Sequence, residues 1–185
     1  MDFSEVATSL QPPTPDWCPD LPSGVASAAG IFSGYLMLDA LIANQDRHHE
    51  NWAAVWDGDT LHLAPTFDHG ASLARNLSDE ERYERLETRD RGRQIPHFAG
   101  RARSAFYADR SASRPLSTFD AWWTFSQRVP NEAYHWLERL EQIELADVED
   151  ILDQVPPDRM SSISRRFTLD LLMENQHRLL DRRKP

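Results

Sequence analysis

The sequence predicts a mainly helical domain that carries one small β-hairpin. Three observations lead there. Ile31, Tyr35, Leu38 and Ile42 recur at helical spacing, and Phe32, Leu36 and Leu41 widen the stripe until most of the circumference is apolar, the pattern of a buried helix. Asp57-Gly58 sits between two short apolar runs, a strong hairpin signal. From Thr118 onward the large apolar residues again fall at helical intervals.

The elements follow in order. Residues 11–22 hold five prolines, Pro12, Pro13, Pro15, Pro19 and Pro22, and read as an extended arm, because proline fixes φ and donates no backbone hydrogen bond. The arm is expected to span residues 1–26 and the folded domain residues 27–185. The first helix begins near Ser27 and delivers the chain into Asn44-Gln45-Asp46. Trp52–Trp56 and Asp59–Leu63 form the hairpin, with a type I′ turn expected at its centre, and Pro65 ends it. A short helix is expected over Ser78–Leu86 with Ser78 as its N-cap, then irregular chain around Gly92, Pro96 and Gly100. Trp122, Trp123 and Phe125 form an aromatic knot that reads as core. Asn131 is expected to cap a helix carrying Trp136, Leu137, Leu140 and Ile143. Leu145, Val148, Ile151 and Leu152 mark the next helix. Asp158 is expected to cap a long last helix with Met160, Ile163, Phe167 and Leu171 on one face.

Composition narrows the function. A chain of 185 residues fits one domain or slightly more, and 40% apolar with 27% charged residues is ordinary for a globular protein. The net charge of −10 argues against direct nucleic-acid binding, which calls for a basic face. Cys18 stands alone, excluding an intrachain disulfide and a Cys-based zinc cluster, and a reducing, cytoplasmic setting is the simplest expectation. No signal peptide is visible, and the apolar stretch 31–43 is too short to span a bilayer and contains Asp39, so no membrane partner is expected.

The chemistry is concentrated in Asn44-Gln45-Asp46-Arg47-His48-His49-Glu50-Asn51 and Phe67-Asp68-His69-Gly70. An Asp, an Asn five positions on and a second Asp-x-Gly after a hairpin supply what phosphoryl transfer needs. One carboxylate orients the attacking hydroxyl and takes its proton; an amide oxygen and a second carboxylate hold magnesium on the ATP phosphates. The hairpin folds the chain back, so that Asp46 and Asp68 can converge.

The run Asn44-x-Asp46-Arg47-His48-x-x-Asn51, with Phe67-Asp68-x-Gly70, resembles the HipA-like kinases, bacterial serine/threonine kinases distantly similar to phosphoinositide kinases. The specific motifs cover residues 32–73, and the likeness extends more loosely to residue 180 as a helical C-lobe. The resemblance implies Asp46 as the catalytic Asp, Asn51 and Asp68 as magnesium ligands, Arg47 as a brace of the loop, and His48 near the phosphates or bracing the loop too. It implies Mg2+ and ATP as cofactors, a protein Ser or Thr hydroxyl as acceptor, and a toxin–antitoxin setting. Two departures stand out. The only lysine is Lys184, and the seven glycines are scattered, with no glycine-rich loop. The expectation is a C-lobe that takes its phosphate-covering N-lobe from another chain. The alternative is a catalytically silent lobe that binds a partner protein or an antitoxin-like chain.

Other clusters carry less. His48, His49, Glu50 and His69 suggest a transition-metal site only weakly, since the i, i+4 histidine spacing of zinc helices is absent. Residues 74–114 hold ten Arg and seven acids; the arginines at 82, 85, 89, 91, 93, 101 and 103 read either as ion-paired helix surface or as a grip for a phosphate, a phosphorylated side chain or RNA. Ser104 and Ser111 in that segment are candidate phosphosites. The acidic stretch 132–153 is a solvated face or a dock for a basic partner.

Overall fold

The computed structural model describes residues 10–14, 16–18, 20–109 and 111–181. Residues 1–9 of the expected arm, Pro15 and Pro19 within it, and Lys184 lie outside that set. The described chain is mostly helical: α1 (Ala28–Leu41), β1 (Ala54–Asp57), β2 (Thr60–Leu63), α2 (Asp79–Glu87), α3 (Ile95–Ala99), α4 (Thr118–Ser126), α5 (Pro130–Glu141), α6 (Leu145–Asp153) and α7 (Ser162–Asp181). None of the described helices is long and apolar enough to cross a membrane.

Two helices organise the rest. Helix α1 is buried nearly all round, as its composition dictates, and packs on α4, α5 and α7. Ile31, Phe32, Leu36, Trp122, Phe125, Leu137, Leu140 and Leu179 form the main core there. The other half of α7 builds a second core, in which Phe167 and Leu171 meet Ile95, Ala99 and Ala102. Helix α7 also settles the ends of its neighbours. Asn175 Nδ2 donates to the Leu41 carbonyl (2.9 Å), and Gln176 Nε2 donates to those of Leu140 (2.9 Å) and Ile143 (2.7 Å). These carbonyls belong to the last turns of α1 and α5 or lie just beyond, where the regular helical ladder stops.

Helices α1 and α5 approach closely along a small-residue seam. A Cβ at Gly34 would collide with the Trp136 indole, and one at Gly30 with the Glu132 carboxylate. Trp136 Nε1 donates to the Gly30 carbonyl (2.8 Å), and Glu132 accepts from the backbone N–H of Ala26 and Ser27 and from the Ser27 hydroxyl.

Local signals placed most elements, and the departures have identifiable causes. Ser27 and Ser78 cap α1 and α2, the latter in a full capping box with Glu81. The hairpin pairs Asp57 with Thr60, so its turn is Gly58-Asp59, one residue later than expected. Only Gly58 of the two has positive φ (+58°), the pattern of a type II′ turn rather than type I′. Residues 95–99 form a short helix where irregular chain was expected, because Pro96 sits in its first turn, where a missing N–H costs nothing. The same logic starts α5 at Pro130, so Val129 rather than Asn131 holds the cap position. Helix α7 starts later than expected: the Ser161 hydroxyl, not Asp158, receives a first-turn N–H, that of Ser164 (3.0 Å). Within the arm, Gln11 pairs alongside β2 through Gln11 N–H to Leu61 O and Leu63 N–H to Gln11 O, both 2.9 Å.

Two stability predictions follow from this packing. Gly34→Val should lower the urea midpoint by the equivalent of about 1–3 kcal/mol without changing the slope, since either the indole or the helix must yield. The Tyr35 phenol is buried and donates to the Ala64 carbonyl (3.0 Å). Burial pushes its pKa well above the ordinary 10.0, with Cys18 adding and Arg47 opposing. The unfolded chain therefore releases this proton first, so the contribution is whole below pH 10 and shrinks as pH rises beyond it. Tyr35→Phe should accordingly flatten the alkaline limb of a stability-versus-pH curve.

Candidate active site

The site is built where α1 ends. Ala43 adopts positive φ (+52°), and the Asn44 N–H reaches back to the Asp39 carbonyl (2.8 Å), the backbone closure of a Schellman motif with alanine where glycine is usual. This reversal swings residues 44–51 across the end of the helix that carries Asp39.

Asp39 and Arg47 then meet as a buried pair. Arg47 Nε donates to Asp39 Oδ2 (2.7 Å) and Nη2 to Oδ1 (2.8 Å), and Asn44 Nδ2 donates to Oδ1 as well (2.8 Å). The Arg47 and Asp39 side chains are only 1% and 4% exposed. Removing two charges from water costs several kcal/mol per ion, repaid only by near-complete hydrogen bonding. The remaining donors of Arg47 supply it. Nη1 donates to the Asn51 carbonyl (2.7 Å) and, at 3.5 Å, to that of Phe67, while Nη2 donates to His69 Nδ1 (3.3 Å). Arginine has no acceptor, so His69 Nδ1 accepts and its Nε2–H faces Thr66 Oγ1 (3.3 Å). One guanidinium thus ties the loop of Asp46 to the loop of Asp68.

The other candidate residues hang from this tie. The buried Asn51 donates its amide Nδ2–H to the Asp46 carbonyl (2.6 Å), which leaves its Oδ1 as the free ligand atom. His48 accepts the Glu50 N–H at Nδ1 (3.2 Å), so its Nε2–H faces Asp46 Oδ1 at 3.4 Å. The Asp46 side chain is half exposed (49%). Asp68 is exposed and sits at φ +53°, a left-handed conformation that aspartate tolerates better than most residues. Its carboxylate has no hydrogen-bond or ion-pair partner among the described residues. Asn51 Oδ1 and the Asp68 carboxylate are oxygen atoms of the kind that a hard cation prefers. Among the described residues no group of three His, Cys, Asp or Glu side chains converges as a metal site. His48 and His49 lie in a turn with ring centroids 5.7 Å apart.

Sequence reading singled out Asp46, Arg47, His48, Asn51 and Asp68 but missed Asp39. Its one available signal was an acid inside an otherwise apolar helix. It also considered His69 only as a metal ligand, whereas here the ring extends the Arg47 network. Ser104 is unsuited as a phosphosite: it is buried and its hydroxyl donates to the Leu116 carbonyl (2.9 Å). Ser111 remains exposed, bonded to Asp109.

The architecture, a helical body with a hairpin beside an Asp-bearing loop, is kinase-like. A crystal structure of the Helicobacter pylori proinflammatory kinase CtkA matches it with a TM-score of 0.62 at 23% identity, over 83% of this chain and 51% of that one. The chain thus spans about half the length of that kinase, and the likeness is one of fold. No protein-family profile matches the chain, and no curated protein matches it in sequence.

The Arg47 network makes a direct prediction. Asp39→Ala strands a buried guanidinium and should cost about 3–5 kcal/mol by urea unfolding, and Asp39→Asn less. A cost under about 1 kcal/mol would mean that Arg47 finds other partners.

Proposed function

We propose that the chain is a HipA-like kinase C-lobe that transfers a phosphoryl group from magnesium-ATP to a Ser or Thr hydroxyl on a protein. The observation that carries this reading is the double tie by Arg47, to the carbonyls of Asn51 and Phe67, which leaves the Asp46 and Asp68 carboxylates open to solvent. In this reading Asp46 orients the acceptor hydroxyl and takes its proton, with His48 steadying the carboxylate and facing the phosphates. Asn51 Oδ1 and Asp68 would hold the magnesium ion, which when bound offsets phosphate charge. Arg47 acts through the loops it fixes. A phosphate-covering loop and its lysine would come from an N-lobe contributed by another chain or segment, since Lys184 is the sole lysine of this sequence.

A second reading, a silent lobe that binds a partner protein such as an antitoxin-like chain, draws on the hairpin, where Trp56 is 69% exposed. Calorimetric titration with ATP separates the two. The kinase reading expects magnesium-dependent binding that Asp68→Ala abolishes. It expects Asp46→Asn to keep that binding and to lower phosphotransfer with an added N-lobe by on the order of 10²–10⁴-fold. Nucleotide binding indifferent to magnesium and to Asp68→Ala would leave only the docking module.

A further inference from the structure

Beside the Asp46 loop lies a pocket of 380 Å³ lined by Gln45, Arg85, Arg93, His97, Phe98 and Arg101, with no carboxylate in its wall. The sequence left the arginines of this segment undecided between surface ion pairs and an anion grip, and the structure divides them. Arg82 pairs with Asp79 (3.1 Å) and Arg166 takes Glu87 (2.9 Å), both outside the pocket. Arg93 pairs with Glu84, and the Asp90 carboxylate accepts the Gly92 N–H (2.9 Å). Arg101 and His97 have no side-chain partner among the described residues. Arg85 lies over the Phe98 ring, its Cζ 4.8 Å from the centroid, and its Nη1 donates to the Arg93 carbonyl (3.3 Å). A guanidinium held between a ring and a carbonyl presents its Nη2 donors in a fixed, planar setting that suits a phosphate.

We infer that this pocket binds a phosphate monoester, and specifically the phosphorylated side chain of a serine or threonine in a polypeptide. The volume suits one phosphate and the side chain that bears it. The −10 net charge of the chain repels an extended polyanion such as RNA while leaving a single dianion free to reach a local basic pocket. The wall toward the candidate site is Gln45, the neighbour of Asp46, whose Oε1 accepts the Arg103 N–H (3.4 Å). A phosphorylated residue seated here would lie beside the place where Asp46 would receive an acceptor hydroxyl. Phosphate recognition stands on the pocket alone; its use to seat an already phosphorylated substrate rests on the kinase reading above.

The test is fluorescence anisotropy with a labelled glycine- and alanine-flanked phosphoserine peptide and its unphosphorylated twin. The phosphopeptide should bind at least about tenfold more tightly, weaken as salt rises, and lose about tenfold or more in Arg101→Glu, an exposed position that leaves the cores untouched. Arg85→Lys, which keeps the charge and loses the fork, should also weaken it. Equal binding of the two peptides, or full binding by Arg101→Glu, overturns the proposal. Displacement by inorganic phosphate or single-stranded RNA at the same concentration as unlabelled phosphopeptide overturns the polypeptide assignment. Asp68→Ala should bind the phosphopeptide as the parent chain does. Phosphopeptide binding together with ATP binding that, with an N-lobe added, is indifferent to magnesium and to Asp68→Ala would therefore sink the kinase reading and leave the pocket standing.

Discussion

The structure around the candidate site depends on one buried guanidinium. Arg47 is nearly sealed from water, and its charge is tolerable only because Asp39 stands opposite and three further acceptors absorb the remaining N–H groups. Those acceptors lie on residues 51, 67 and 69, on both sides of the hairpin. The ion pair is thus less a source of net stability than a device of specificity: its desolvation cost is met in only one arrangement of the two loops. Loops are ordinarily the mobile part of a fold. Here a charge that cannot be left unpaired removes that freedom from the backbone and leaves it to the Asp46 and Asp68 side chains.

The scaffold beneath is asymmetric in how it achieves rigidity. The Asp39 end of α1 is secured by polar closure, with Asn175 on its last-turn carbonyl and Asn44 folded back over Asp39. Its opposite half is secured by side chains seated on glycine, with Glu132 and Trp136 of α5 against Gly30 and Gly34. A helix pinned at both ends cannot rotate to relieve a change at either one. Positioning of the loop that follows is therefore set by side chains more than a hundred residues away in sequence.

What sequence reading recovered and missed divides along that same line. Helix α1, the Ser27 and Ser78 caps and the existence of a hairpin rest on neighbours within a few positions, and such signals survive in any context. The exact turn did not, because Asp57-Gly58 and Gly58-Asp59 are both good turn pairs and only strand register decides between them. The starts of α5 and α7 went to Pro130 and Ser161 over Asn131 and Asp158, each a plausible cap within three residues of the true one. The five candidate residues stand in the sequence as an ordered motif. Asp39 was not legible there, because its tie to Arg47 exists only after Ala43 turns the chain back, and an alanine with positive φ has no sequence signature.

The dependence on α7 also has a consequence in time. Its Phe167, Leu171 and Leu179 are fully buried, and its Asn175 and Gln176 close α1 and α5. During synthesis, the Asp46 loop leaves the ribosome about 130 residues before α7 is complete, an interval on the order of ten seconds at cellular elongation rates. Throughout that interval α1, apolar on nearly every face, has no finished core to enter. A chain in that state presents the apolar surface that favours aggregation and attracts chaperones, and the speed of translation through residues 52–161 sets how long it does so.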